Sequence, residues 1–339
     1  MCTTVVYRTK DDYFGRNLDL EYSYNETITI TPRRFPFVFH NGRRVDSHYA
    51  IIGMAYVYED YPLYYDGINE KGLAVAGLHF PGNAVYGVAS DVSEKKKEEI
   101  APYELLPWIL CQCENLEQTR ELLEKTRLVH VDFRKNLPAT PLHFMIADNT
   151  GSIVAEPVEE GFRVYENPVE VLTNNPPFPY QLLHLSQYMN MSNHQIEDKL
   201  SVHFQQLPEV QHEKYKLEKY SRGMGAMGLP GDLSSTSRFV KAAFTKLYSV
   251  SAQGEHESVN QTFHILGAVE QQRGCVEMEN GSYEITRYSA CCNMDKGIYY
   301  YKTYENSRIV GVDMHKENLE KETLITYSLQ EEEQFQMQN

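Results

Sequence analysis

Met1-Cys2-Thr3-Thr4-Val5-Val6-Tyr7-Arg8-Thr9 opens the chain, and Asp11-Asp12 turns it back through Tyr13-Phe14-Gly15-Arg16-Asn17-Leu18-Asp19. Thr3 to Thr9 has the β-branched and aromatic content of a strand centred on Val5, Val6 and Tyr7, and the returning segment completes a hairpin. The first strand begins at Cys2. Removal of an initiator methionine depends on a small second residue, and Cys is small enough. Once Met1 leaves, Cys2 carries a thiol and a free α-amine together. The amine titrates near about 7.7–8.0 and the thiol near about 8.5. One residue then supplies nucleophile and base, the cysteine counterpart of the N-terminal Thr variant of the catalytic triad. Taken alone, a cysteine behind Met1 is an incidental residue on a frayed end, so the rest of the chain decides.

The 339 residues, 42% of them hydrophobic, suffice for a large core. With 32 basic and 47 acidic residues the net charge is −15. The basic run Lys95-Lys96-Lys97 is flanked by Glu94, Glu98 and Glu99. This balance argues against a nucleic-acid or anionic-membrane partner. The N-terminus lacks a basic segment followed by an apolar one, so no secretory leader is expected. No apolar run approaches the roughly 20 residues of a membrane span. The six cysteines (Cys2, Cys111, Cys113, Cys275, Cys291, Cys292) have neither metal-ligand spacing nor a secretory context, and read as reduced thiols of a cytoplasmic protein. The 25 tyrosines cluster at Tyr56, Tyr58, Tyr61, Tyr64, Tyr65 and at Tyr299, Tyr300, Tyr301, Tyr304. They suit strands or interfaces, and the first cluster equally suits the wall of an apolar pocket.

Strands are expected at Thr27–Thr31 and Ala50–Val57. Asp66-Gly67-Ile68-Asn69-Glu70-Lys71-Gly72 reads as turn-rich, ahead of a buried strand over Leu73–Leu78. Leu105, Leu106, Ile109, Leu110 and Cys113 follow a 3.6-residue period. Asn115-Leu116-Glu117-Gln118 resembles a capping box opening a second helix. Strands resume over Leu142–Ile146, Ser152–Glu156, Phe162–Tyr165 and Val169–Thr173, and Gln181–Met189 reads as a helix. Residues 190–220 are polar and weakly periodic, a surface excursion. Ser234-Ser235 caps a helix over Thr236–Tyr248, and Val259–Val269 is another. Four strands close the chain between Tyr283 and Leu329. Strands, helix pair, strands, helix pair, strands is the order of a layered α+β fold. There is no internal repeat or linker, so one domain over 2–339 is expected.

Met1-Cys2-Thr3-Thr4 with Phe14-Gly15-Arg16-Asn17-Leu18-Asp19 resembles the start of the choloylglycine hydrolase family, the bile salt hydrolases and penicillin V acylases. The resemblance continues at Asp66-Gly67-Ile68-Asn69-Glu70-Lys71-Gly72-Leu73, Gly77-Leu78-His79-Phe80-Pro81-Gly82, Leu172-Thr173-Asn174-Asn175-Pro176, Gly228-Leu229-Pro230-Gly231-Asp232-Leu233, Ser237-Arg238-Phe239 and Lys296-Gly297-Ile298-Tyr299-Tyr300-Tyr301. Each motif alone is weak; their order and spacing along the whole chain are specific. The resemblance implies an N-terminal-nucleophile hydrolase with a four-layer αββα sandwich, two mainly antiparallel sheets between helix layers, assembled as a homotetramer.

The same resemblance implies the site. Cys2 attacks an amide carbonyl and forms a thioester. Arg16 favours the thiolate and Asp19 holds the α-ammonium. Asn174 donates its side-chain amide to the oxyanion, and Arg238 orients thiol and amine. Without the resemblance, Arg16 and Asp19 read as a surface ion pair worth about 0–1 kcal/mol, Asn174 as part of a turn, and Arg238 as a helix-surface residue. His79 departs from the family, where bile salt hydrolases carry Asn and penicillin V acylases usually Tyr. It keeps the backbone N–H expected to serve the oxyanion and adds a titratable ring. Leu18, Tyr58, Tyr65, Phe133 and Leu137 match substrate-pocket positions; they suit a steroid acid and would also accept a phenoxyacetyl group. The other eleven histidines show no paired-ligand spacing, so neither metal nor cofactor is expected. The leading expectation is hydrolysis of glycine- or taurine-conjugated bile salts. A penicillin V acylase or other N-acyl amidase is the alternative within the class. A catalytically inactive apolar-ligand binding protein is the alternative outside it, and it would not need Cys2, Asp19, Asn174 and Arg238 together.

Overall fold

The computed structural model describes residues 1–89, 97–204 and 216–339. Lys95, Lys96 and the middle of the 190–220 excursion lie outside the described residues. The strands run in order as β1 (Cys2–Arg8), β2 (Asp12–Leu20), β3 (Thr27–Thr31), β4 (Phe37–Val38), β5 (Arg44–Val45), β6 (Ile51–Tyr58), β7 (Tyr61–Asn69), β8 (Ala74–His79) and β9 (Glu98–Ile100). Helices α1 (Leu105–Gln112) and α2 (Leu116–Glu124) follow, then β10 (Thr126–Leu128), β11 (Leu142–Asp148), β12 (Gly151–Val158), β13 (Gly161–Glu166) and β14 (Val171–Leu172). Next come α3 (Phe178–Leu185), the single turn α4 (Ser201–Phe204), α5 (Ser235–Tyr248) and α6 (Glu255–Gly267). The chain closes with β15 (Ile285–Asn293), β16 (Ile298–Thr303), β17 (Val310–Asp313) and β18 (Ile325–Ser328).

Two antiparallel sheets form the centre. The six-stranded sheet has the order β14-β1-β2-β15-β16-β17, and the eight-stranded sheet β13-β12-β11-β8-β7-β6-β3-β18. Strand alternation explains the layering. Ile52, Ile68, Ala74, Ala76 and Met145 belong to the core shared with the six-stranded sheet. Their neighbours Ile51, Leu73, Val75 and Ile146 belong to a second core with Leu105, Trp108 and Ile109 of α1. Both faces of these strands are therefore buried, which is why their sequences read as continuous apolar runs. Helices α5 and α6 pack on the outer face of the six-stranded sheet, against β1, β2 and β15. The result is an αββα sandwich.

Several boundaries differ from expectation. Asp66 to Asn69 is not turn but the end of β7, and the turn is confined to Glu70–Gly72. Asn115 accepts from the Gln118 backbone as an N-cap should, but the Gln118 side chain accepts from Glu114 N instead of Asn115 N, so the reciprocal box is displaced by one residue. The helix expected over Val259–Val269 starts earlier, at Glu255. The described part of the excursion is mostly exposed.

Candidate active site

The β1–β2 hairpin puts Cys2 opposite Leu18, Thr3 opposite Asn17 and Thr4 opposite Arg16. Directly opposed residues share a face. Asn17 donates to the Leu266 carbonyl of α6 at 3.0 Å, and Arg238 of α5 donates to Thr3 Oγ1 at 2.6 Å, so that face looks outward to the helices. Cys2, Arg16 and Leu18 consequently face the eight-stranded sheet. There Arg16 Nη2 donates to Cys2 Sγ at 3.3 Å, Nη1 donates to the Tyr65 carbonyl at 2.6 Å, and Nε lies 3.6 Å from Asp66 Oδ2. Tyr65 is free to offer that carbonyl because it is the extra residue of a β-bulge: Met54 opposes Asp66 while Ala55 opposes Tyr64. Gly53 makes room for the bulge, since a Cβ there would stand 2.1 Å from the Asp66 carbonyl oxygen.

Arg16 and Asp19 are 2% and 0% exposed, which overturns the plain reading of a surface ion pair. They are not each other's partners. Asp66 balances Arg16 and accepts Tyr288 Oη at 2.5 Å and Tyr299 Oη at 2.6 Å. Burial disfavours charge on Arg16, yet Cys2, Tyr288 and Asp66 hold its pKa above the ordinary arginine value. Burial raises the Asp66 carboxyl, against the pull of Arg16 and the two tyrosine hydroxyls. Asp19 accepts Thr286 Oγ1 at 2.6 Å on Oδ1; Oδ2 makes no hydrogen bond and lies 3.8 Å from Arg238 Nη1. Burial raises this carboxyl too, against the pull of Arg238 and the amino terminus.

Arg238 is completely buried, not on a helix surface. Its Nη1 donates to the Cys2 carbonyl at 2.6 Å as well as to Thr3, its Nη2 to Asn174 Oδ1 at 2.7 Å, and its Nε to the Leu233 carbonyl at 3.0 Å. The planar fork meets four acceptors that a lysine could not reach together. Asn174 Oδ1 also accepts the Cys2 backbone N–H at 2.8 Å. Two donors on one atom fix the orientation of the amide, and Nδ2 then donates to the His79 carbonyl at 2.8 Å. The Asn174 main chain is pinned at both ends, its N–H by Ser235 Oγ at 2.9 Å and its carbonyl by Gln181 at 3.0 Å. Ser235 was expected to help cap α5; its hydroxyl is instead spent on Asn174.

Met1 continues the strand pairing. Its carbonyl accepts from Asp19 N at 2.9 Å, and its ammonium donates to the Asp19 carbonyl at 2.7 Å and to Glu284 Oε1 at 2.6 Å. His79 ends β8 with its ring exposed, and partial desolvation and then the nearby amino terminus hold it below the ordinary imidazole range.

The pocket positions divide. Leu18 and Tyr65 adjoin Cys2 and Arg16 as described. Tyr58 and Phe133 stack edge to face at 5.8 Å, and Phe133 N donates to the Leu137 carbonyl at 3.1 Å. Tyr61 and Tyr103 pack on Phe133 at 5.5 and 5.2 Å, and Tyr24, Tyr56 and Tyr58 continue the aromatic wall at 5.7 and 6.1 Å. Burial drives Cys111 and Cys292 well above the ordinary thiol range, Cys113 up to about 11 and Cys291 to about 12. These four are inert packing thiols. No group of metal-binding side chains occurs among the described residues.

Sequence reasoning passed over Asp66, Glu284, Thr286 and Ser235. The signal for Asp66 was present, in the Asp66-Gly67-Ile68-Asn69 motif, but it was read as turn chemistry. Glu284 and Thr286 carry no local signal; their partners lie 283 and 267 residues away.

The model of the linear amide C–N hydrolases of the choloylglycine hydrolase family matches residues 2–327. The chain belongs to the choloylglycine hydrolase family. It is 50% identical over 335 residues to a bile salt hydrolase/transferase of Lactiplantibacillus plantarum, covering 99% of each chain. A crystal structure of a conjugated bile acid hydrolase variant from Clostridium perfringens superposes with a TM-score of 0.88 at 35% identity, over 100% of both chains. A penicillin V acylase from Agrobacterium tumefaciens shares the fold, with a TM-score of 0.70 at 19% identity over 96% of this chain and 91% of that one. As a member of the choloylglycine hydrolase family the protein is a C–N amide hydrolase, so the reading as a catalytically inactive binding protein falls away.

Proposed function

We propose that the protein hydrolyses the amide of glycine- or taurine-conjugated bile salts, with Cys2 as nucleophile after Met1 is removed. The observation that carries this is the convergence of Arg16, Arg238 and Asn174 on Cys2, from positions 14, 236 and 172 residues away. With Met1 gone, the Cys2 nitrogen becomes an amine. It takes the thiol proton as Sγ bonds to the substrate carbonyl carbon, with Arg16 beside the sulfur favouring the thiolate. The carbonyl electron pair moves to oxygen, which the remaining Asn174 Nδ2 hydrogen and the His79 backbone N–H stabilise. The C–N bond then breaks, the ammonium returns its proton to the leaving amine, and a thioester remains. Water, activated by the same amine, hydrolyses the thioester and frees the thiol. The unpartnered Asp19 Oδ2 supplies a carboxylate for the Cys2 ammonium.

Likeness to a bile salt hydrolase/transferase and to a conjugated bile acid hydrolase supports the steroid substrate, and Leu18, Tyr58, Tyr65, Phe133 and Leu137 would line its acyl side. His79 favours a second reading, cleavage of penicillin V. Released amine from glycocholate, taurocholate and penicillin V decides between them, and faster turnover of penicillin V overturns the first. Placement in the cytoplasm is supported by six unpaired thiols, and a role in steroid-lipid metabolism follows from the proposed substrate. A homotetramer is supported by exposed Tyr180, Leu183 and Met189 on and beside α3; light scattering at four times the chain mass tests it.

A further inference from the structure

His143 sits in β11 with none of its surface exposed. A buried histidine is ordinarily a satisfied core residue, but its contacts here are unusual in where they lie. Nε2 donates to the Thr173 carbonyl at 2.8 Å, and Thr173 immediately precedes Asn174. The ring stacks on Phe80 with centroids 4.1 Å apart and planes 8° from parallel, and Phe80 immediately follows His79. One imidazole thus grips the neighbour of each of the two residues assigned to the oxyanion. Their own direct link is the single 2.8 Å bond from Asn174 Nδ2 to the His79 carbonyl.

The imidazole is itself held. Nδ1 faces Glu156 Oε1 at 3.3 Å, and that oxygen also accepts from Phe178 N, the first residue of α3, at 2.7 Å. Glu156 is 2% exposed. The ring is therefore fixed on three sides, by the Thr173 carbonyl at Nε2, by Glu156 at Nδ1 and by the face of Phe80. With no exposed surface and a partner at each nitrogen, the imidazole has no room to turn.

We infer that His143, braced by Glu156, is a positioning residue that sets the spacing of the Asn174 amide and the His79 backbone N–H. The inference rests on the proposed oxyanion assignment of those two groups. Displacing a donor by about 1 Å costs about a hundredfold in rate, while substrate binding through the aromatic wall is unaffected. The thiol is also unaffected, because Arg16 and Arg238, not His143, touch Cys2.

His143→Phe keeps the stack on Phe80 and removes both polar bonds. Glu156→Gln keeps the acceptor for Phe178 N and removes the charge. Each variant is assayed for kcat and KM with glycocholate, and for the rate at which iodoacetamide alkylates Cys2, read from the mass of the N-terminal peptide so that exposed Cys275 does not interfere. Alkylation attacks a tetrahedral carbon and develops no oxyanion. For His143→Phe, kcat falls about 10- to 100-fold, while KM and the alkylation rate stay within about twofold. Glu156→Gln shows the same split in smaller degree, and decides the matter if His143→Phe does not fold. Unchanged kcat overturns the inference, and so does an alkylation rate that falls in step with kcat. A Cys2→Ala protein that still hydrolyses glycocholate would instead sink the nucleophile assignment beneath it.

Discussion

Asn174 Oδ1 accepts two hydrogen bonds at once, from Cys2 N at 2.8 Å and from Arg238 Nη2 at 2.7 Å, and so ties the head of β1 to the loop after β14 and to α5. Three segments distant in sequence are locked at one oxygen atom.

Cys2→Ala removes the sulfur and leaves the backbone anchors of Cys2 in place. Turnover of every amide substrate is expected to fall by at least about a thousandfold, with thermal unfolding unchanged within a few degrees. Released glycine and differential scanning calorimetry read the two effects.

Arg238→Met removes a buried cation, leaves the Asp19 carboxylate without the charge 3.8 Å away, and takes a donor from Thr3, Asn174 and the Cys2 carbonyl. Removing one partner of a buried, hydrogen-bonded charge cluster costs about 3–5 kcal/mol, to be read from urea unfolding. The remaining folded enzyme should lose about a hundredfold or more in kcat. A stability loss under 1 kcal/mol would show that Arg238 is not balancing Asp19.

Asp66→Asn preserves shape and removes the negative charge beside Arg16. The guanidinium is then balanced less by protein and more by the thiolate. Iodoacetamide should alkylate Cys2 about threefold or more faster at neutral pH. Slower alkylation would mean that Asp66 matters for the placement of Arg16 and not for its charge.

His79 gives a pH signature. Its folded pKa lies below the unfolded value of about 6.5, so folding favours the neutral ring. That contribution is fully present above about 6.5 and is lost as pH falls through the folded value. The stability of the wild type relative to His79→Asn should therefore decline as pH falls below about 6.5 and level off once the folded ring is also protonated. Urea unfolding at a series of pH values measures it; a difference that grows as pH falls contradicts the direction of the shift.

Tyr58→Ala opens the aromatic wall at the ring that Phe133 meets edge to face. Losing one partly buried aromatic contact is expected to weaken binding by about 1–2 kcal/mol, raising KM for glycocholate about 5- to 30-fold with kcat within a factor of two. A fall in kcat at constant KM would place Tyr58 outside the acyl pocket.

The layered fold was legible because its strands are long, apolar and bounded by turn residues, and because α1, α5 and α6 keep a helical period. Local chemistry failed where distant partners decide. Asp66 beside Gly67 has the look of a turn, and only Arg16, Tyr288 and Tyr299, 50, 222 and 233 positions away, make it a buried strand residue. Ser235 reads as a cap, and Asn174 claims its hydroxyl. The grouping of Cys2 with Arg238 could not come from spacing at all; resemblance carried it, because motif order preserves what a single sequence cannot display in space. His143 left no mark, since a histidine inside an apolar strand looks like filling.

The strand pairing of Met1 with Asp19, and the seat of its ammonium on Glu284, have a practical consequence. On the proposed mechanism a residue left ahead of Cys2 keeps its nitrogen in a peptide bond and so blocks the base, which makes removal of Met1 the activating step. The residues after Ser328 are mostly exposed, and purification handles belong at that end.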